Sequence, residues 1–527
     1  MWWIALYACT QPSTDKSATP GTVPEGTPER EVPRVVINEL MIDNESTLER
    51  PDGTLPDWFE LYNTSSVPVD LATVEVADGD LVWRRGKGVL GAHERLLIYA
   101  DGAADMDHAP FTLDGDGDTL RVLVDGVETD RVDTGPMPSD VAAIRFPDGE
   151  DWRVGVWPTP GYANMAAGLD NVDPRDSLFQ KDHVTRLQIT LSDEAYAALQ
   201  QNSGDDDVVA EITFEGIRFP DVHVHLKGSG SYQPITGKAA FKIDLNDLDS
   251  GRRMRGLKKL TFNNGVTWDP TWTHEWLSYS LFRAAGIPAP RVGWTRISVN
   301  GVDYGLYMNV ESYDDELLER WFSDAATGGT LYEGRYDFSS WDNFHLEEGP
   351  PRDAWLASVE AALGSGRQPA DMEALRRLID MDEFTTYAAC ESVTLQWDGY
   401  ESPNNWRLYV TAGDKGLWLP TGLDYTWSYI QGDPWYGNGQ VLQACLRDDE
   451  CWREFTEKLI TVATLANDMD LVGEFDDVTT FLTPEIETDR RTPHSPEETE
   501  SARVSTRKYL STWPNRVIRE ATDTLGE

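Results

Sequence analysis

The stretch at 395–427, LQWDGYESPNNWRLYVTAGDKGLWLPTGLDYTW, constrains this chain more than any other. Two short runs rich in aromatic and β-branched residues, 406–410 and 417–420, flank the turn-forming segment TAGDKG, a strand–turn–strand signal. Pairing Val410 with Leu417 would set Asp424 roughly opposite Pro403 and Asn404. A carboxylate and neighbouring amides then converge at the open end of a hairpin, with Asp398 on the loop leading in.

The order acid, amide, acid across a hairpin resembles the layout of a protein kinase. There, one Asp orients the attacking hydroxyl while an Asn and a second Asp hold magnesium on the nucleotide phosphates. Magnesium takes hard oxygen ligands, usually one or two carboxylates beside phosphate and water. A polar hairpin mouth of ordinary turn residues is the plainer alternative, so the rest of the chain has to decide.

Its 527 residues allow two or three domains. With 91 acidic against 45 basic residues the formal charge is −46, which disfavours nucleic acid and anionic membrane and favours a basic partner. The opening MWWIALYAC is short and apolar, and Thr, Ser, Pro and Gly follow it up to about residue 30. LYAC resembles a bacterial lipoprotein signal, which implies export, an envelope location and a lipid anchor at Cys9 as the only membrane contact. Without that signal the expected location is cytoplasmic. Cys445 and Cys451, in CLRDDEC, are spaced to close a small disulfide loop, and Cys390 reads as a buried thiol.

Residues 1–32 thus read as signal and tether, and 33–166 as a β-sandwich of short alternating strands. INELM, DWFELYN at 57–63 and PTPGYAN at 158–164 resemble the lamin-tail domain, which implies an immunoglobulin-like binding or docking module. A linker is expected at 167–180.

From 181 the chain is strand-rich to about 325, then helical to 527. That gives an α+β fold: an immunoglobulin-like sandwich followed by a two-lobed, atypical protein-kinase-like domain. Gly228 and Gly230 in LKGSGSY could let backbone amides approach phosphate, although tight hairpins use such glycines equally often. Lys238 and Lys242 in GKAAFKIDL lie after this loop, where a kinase keeps its phosphate-pairing lysine. Glu275, in the first turn of the helix capped at Thr273, either favours the helix dipole or pairs with Lys238. Glu311 ends the second strand of an Asn300-Gly301 hairpin, where a kinase chain crosses between lobes.

Taken together, LKGSGS, GKAAFKID, HEWLSYSLFRAAGIPAPR, VNGVDYGLYMNVE, LQWDGYESPNNWRLY and LPTGLDYTW resemble the CotH kinase family of atypical protein kinases. The resemblance implies ATP and magnesium as cofactors and Ser/Thr-rich, basic protein as substrate. It implies Lys238 on the phosphates with Glu275 anchoring it, Glu311 near the adenine, Asp398 as catalytic Asp, and Asn405 with Asp424 on the metal. Two departures stand out: Gly422 replaces the first Asp of the family's D-x-D, and the strand opens with GKAA where PKKS is usual. They leave open a weakened kinase, or an inactive kinase-like scaffold that docks through its sandwich.

Overall fold

The computed structural model describes residues 34–526, apart from 51, 166–168, 171–172, 202–206, 323–327, 339–342, 365–368 and 429–431. Cys9 and the tether lie outside the described residues. No helix among the described residues is long and apolar enough to cross a membrane. The chain divides into one unit of residues 1–180 with Arg253–Leu257, and a second of Lys181–Arg252 with 258–527.

The first unit is a β-sandwich. A five-stranded sheet holds Val35–Met41 between Ala142–Arg145 and Asp57–Asn63, and a four-stranded sheet is centred on Val74–Asp78 and Thr119–Val124. Val35, Ile37, Phe59 and Leu61 of the first pack with Val74, Val76, Leu120 and Val122 of the second. The sequence pieces shared with lamin-tail domains meet in one buried network. Asn38 donates to Glu60 at 3.0 Å, the Thr159 N–H donates to Glu39 at 2.9 Å, and the Gly161 N–H to Glu60 at 2.7 Å. INEL, ELYN and TPGYAN therefore hold the closing segment against the sheet, because buried carboxyls must be hydrogen-bonded.

The second unit opens with a closed seven-stranded barrel. Its strands run Val184–Thr190, Val208–Phe214, Ile217–Lys227, Ala240–Asp244, Lys259–Asn263, Val302–Val310 and Val292–Val299 around the ring. Phe241, Ile243 and Leu245 face inward and alternate with half-buried Lys242 and Asp244, the period of two expected of a strand with one apolar face. The helix His274–Ala284 follows the fifth barrel strand.

The remainder is mainly helical: Met381–Thr394, Asp449–Asp468, Leu471–Thr488 and Pro496–Leu525. The key hairpin forms, from Trp406–Val410 and Gly416–Pro420, but two further strands, Thr330–Gly334 and Phe344–Glu348, extend it into a four-stranded sheet. Its register also differs by one residue from the sequence expectation. Val410 pairs with Gly416, not Leu417. The turn is tighter because Asp414 adopts positive φ (58°) and the Thr411 N–H closes onto the Lys415 carbonyl at 2.9 Å. Trp406 and Trp418 stack at 5.7 Å beneath the sheet, with Tyr400 and Phe384 edge-on against Trp418. This aromatic block fixes the hairpin on which the acidic loops are mounted. Cys445 and Cys451 are disulfide-bonded with Cα atoms 5.0 Å apart, and Cys390 is a buried free thiol.

Candidate active site

Two loops at the open end of the hairpin carry the acidic groups. Asp398 lies on the loop between Met381–Thr394 and Trp406–Val410. Asn405 donates through Nδ2 to its carboxylate at 2.7 Å and to its carbonyl at 3.0 Å, and Asn404 donates to the same carboxylate at 3.0 Å. Asp424 sits in the short 3-10 turn Leu423–Tyr425 and accepts from the Thr267 hydroxyl. Burial raises the Asp424 carboxyl above its usual range, and the charges of Asp269 and Asp398 push it the same way against the Thr267 bond. Asp398, Asn405 and Asp424 are therefore brought together.

Gly422 explains how closely. It has φ of 64°, and a Cβ there would stand 2.9 Å from Asn405 Cγ and 3.0 Å from its Cβ. The absent Asp side chain leaves the space into which Asn405 packs.

The basic side of the site corrects the sequence reading. Lys238 does not pair with Glu275. It precedes the strand Ala240–Asp244 and is buried, with Nζ 2.6 Å from Asp489 and 3.1 Å from the Tyr304 carbonyl. Its ammonium also lies over the rings of Tyr307 and Trp272, at 4.6 and 5.1 Å. Burial lowers its pKa to about 8 although Asp489 opposes the shift.

It is Lys227 that is linked to Glu275, through Asn263. It ends the neighbouring strand Ile217–Lys227, directly across from Ala240. Its ammonium donates to Asn263 Oδ1 at 2.5 Å, and Asn263 Nδ2 donates to both Glu275 oxygens at 3.0 and 2.9 Å. Burial pulls the Lys227 pKa down, while the charges of Glu275 and Asp424 support its ammonium form. Burial raises Glu275 to about 8, with the Asp424 charge next in effect. The sequence signal for Lys227 was its position in LKGSGS, immediately before the glycine loop.

Gly228 has φ of 108°, and a Cβ there would meet Ser231 Oγ at 2.8 Å, so the turn itself requires glycine. Gly230 has open space around its Cβ position. Glu311, the residue expected near the adenine, directly follows the strand Val302–Val310. Its buried carboxylate is ion-paired to Arg291 at 2.6 Å and Arg320 at 2.5 Å, and these two cations outweigh burial to lower its pKa. That side chain is committed within the protein.

Sequence reasoning missed Asn263, Thr267, Asp269 and His274. Asp269 is fully buried and accepts the N–H groups of Thr271 and His274, at 2.9 and 2.7 Å, fixing the start of the helix that carries Glu275. His274 Nδ1 lies 3.3 Å from the Asp424 carbonyl and Nε2 2.9 Å from Thr506 Oγ1.

The donor set suits magnesium bound to a nucleotide. Asp424 and the Asn405 side-chain carbonyl are hard oxygen donors, and the nearby charges of Asp269 and Asp398 raise the Asp424 pKa unless a cation neutralises them.

A strand barrel carrying a lysine and a helix glutamate, set with a helical region carrying an Asp–Asn–Asp hairpin site, defines a two-lobed kinase-like protein. Residues 224–508 match the family described as CotH kinase protein, and the chain belongs to that family. Residues 28–136 match the Lamin Tail Domain. Inner spore coat protein H of Bacillus subtilis (strain 168) is 22% identical over 258 residues, covering 44% of this chain and 65% of that relative's length. Among solved structures, the Helicobacter pylori proinflammatory kinase CtkA is similar at 8% identity and a TM-score of 0.26, over 56% of this chain and 96% of that one. HipA of the Shewanella oneidensis MR-1 toxin–antitoxin system is similar at 10% identity and a TM-score of 0.25, over 50% of this chain and 61% of that one.

Proposed function

We propose that the second unit is an ATP- and magnesium-dependent protein kinase that phosphorylates Ser or Thr hydroxyls of basic, Ser/Thr-rich protein. The observation that carries this reading is the convergence of Lys227 and Glu275, from barrel and helix, with Asp398, Asn405 and Asp424 from the hairpin loops. Such a site catalyses by positioning and charge stabilisation, since phosphoryl transfer needs little covalent help from the protein.

Asp424 and the Asn405 carbonyl oxygen would hold the metal, which when bound neutralises charge on the phosphates. Lys227 would place its ammonium on the phosphates, with Asn263 and Glu275 fixing its direction. Asp398 would accept the proton of the acceptor hydroxyl as the new O–P bond forms and the bond to the leaving nucleoside diphosphate breaks. The acidic surface would attract a basic acceptor. The sandwich would dock the protein to a partner. An exported location, with acylation at Cys9, is supported by the LYAC start and by the Cys445–Cys451 bond, since disulfides persist in oxidising compartments.

The inactive-scaffold reading rests on Gly422, and one experiment separates the two. Calorimetric titration of the full chain with ATP, with and without magnesium, is followed by phosphate transfer to a Ser-rich basic protein. The kinase reading expects magnesium-dependent binding and transfer. Folded protein that binds no ATP at millimolar nucleotide rejects it, and binding without transfer favours the scaffold.

A further inference from the structure

The helix Met381–Thr394 ends with a buried glutamate where its own dipole disfavours one. Glu391 lies in the last turn, and a helix C-terminus carries partial negative charge. Burying a carboxyl costs free energy unless its oxygens are hydrogen-bonded. Here the compensation comes largely from the loop that presents Asp398. Oε1 accepts the Tyr400 N–H at 2.8 Å and the Tyr387 hydroxyl at 2.7 Å, and Oε2 accepts the Glu401 N–H at 2.9 Å. The Glu391 main-chain carbonyl accepts the Gln396 N–H at 2.9 Å. One residue therefore grips the segment 396–401 at both ends, with Asp398 between.

The fit is close. A Cβ on Gly399 would stand 2.1 Å from Glu391 Oε1. The Gly399 carbonyl in turn accepts the N–H groups of Ser402 and Asn404, at 3.0 and 2.9 Å, which folds Asn404 and Asn405 back onto Asp398. Gln396 reaches the other acidic loop, donating to the Gly422 carbonyl at 2.8 Å. We infer that Glu391 is a positioning residue of the phosphoryl-transfer site: it sets the backbone of 396–401, and through it the placement of Asp398 and Asn405 beside Asp424. Its effect on turnover rests on the proposed kinase function; its hold on the loop does not.

The test uses Glu391→Gln, which keeps size and shape but replaces one accepting oxygen with a non-accepting NH2 group. Gly399→Ala attacks the same contact from the loop side and removes nothing from the core. Amide hydrogen exchange at Tyr400 and Glu401 should quicken about tenfold or more in both variants. kcat should fall by about 10- to 100-fold, as expected when a reacting group is misplaced by a fraction of an ångström to an ångström. The magnesium–ATP dissociation constant should rise by less than kcat falls, because Asn405 supplies only one of the proposed metal ligands whereas Asp398 acts on the acceptor side and not in ground-state nucleotide binding. Unchanged exchange at the two amides overturns the inference, and so does quickened exchange with unchanged kcat. A parallel loss of ATP affinity, kcat and melting temperature also overturns it, since that is the mark of a general structural defect. If wild type binds nucleotide but transfers nothing, the kinase reading falls, and exchange alone then decides whether Glu391 holds the loop.

Discussion

Asp489, in the loop after the helix Leu471–Thr488, takes the ammonium of Lys238 at 2.6 Å from 251 residues away in sequence. The same carboxylate accepts the Leu306 N–H at 3.0 Å, and a Cβ on Gly305 would stand 2.0 Å from it. Arg491 continues the contact, with its guanidinium 3.7 Å from the Tyr304 ring centroid. The loop after that helix is thus anchored to the barrel, and the lysine best placed by sequence for nucleotide is its anchor.

Removing one partner of such a pair leaves a buried charge without compensation, which costs about 3–5 kcal/mol. Lys238→Ala should therefore lower the melting temperature markedly while changing magnesium–ATP affinity little. Scanning calorimetry beside an ATP titration reads both. A large affinity loss without destabilisation would return Lys238 to the nucleotide site.

Lys227→Ala should do the reverse. Loss of a phosphate-contacting charge is expected to weaken ATP binding by about 10- to 100-fold, the scale of a charged hydrogen bond. Isothermal titration at fixed magnesium checks it, with Lys227→Arg as the partial substitute.

Asp424→Ala and Asp398→Asn should fail in different ways. The first removes a metal ligand, so nucleotide affinity loses its magnesium dependence and turnover drops. The second leaves binding nearly intact and lowers kcat by about 100-fold or more, because it affects the group that receives the proton. Equal losses of affinity in both would contradict the division of roles.

Gly422→Asp restores the family's first acidic residue but should not raise activity here. Its Cβ would meet Asn405 Cγ at 2.9 Å, so the amide must shift away from Asp398. A higher magnesium requirement for ATP binding is the expected result; a gain in turnover would show that Asn405 can yield without harm.

Stability should fall as pH rises, contrary to the usual behaviour of carboxylates. Burial raises Asp337 to about 6, Glu60 and Glu391 to about 7, and Glu401 to about 9. In the unfolded chain these groups are ionised above about pH 4.5, so between the two states the native protein binds more protons. The stability they contribute is complete below the unfolded pKa and is lost as pH passes through the folded values. The melting temperature should therefore drop between about pH 5.5 and about 8.5, and Glu401→Gln should flatten the decline. A rise over that window would mean that these carboxyls are ionised in the native protein.

The sequence alone determined what is local. Alternating apolar residues specified the strands, TAGDKG the hairpin turn, and the spacing around it, one residue out of register, the approach of the loops that carry Asp398 and Asp424, because a hairpin joins residues close in the chain; Asn405 came from the family resemblance. INEL, ELYN and TPGYAN marked the sandwich, although only the fold shows that they share one buried carboxyl network. Tertiary structure decided which lysine is linked to Glu275. Lys227 and Lys238 flank the same glycine loop and look equivalent in sequence. They differ in what lies opposite each: Asn263 and Glu275 for one, Asp489 for the other. A buried ammonium is governed by its nearest carboxylate and its desolvation, and both depend on chain segments brought together only by the fold. The same holds for Glu311, held by Arg291 and Arg320, and for Glu391, whose partners on the Asp398 loop are backbone amides that no side-chain pattern records.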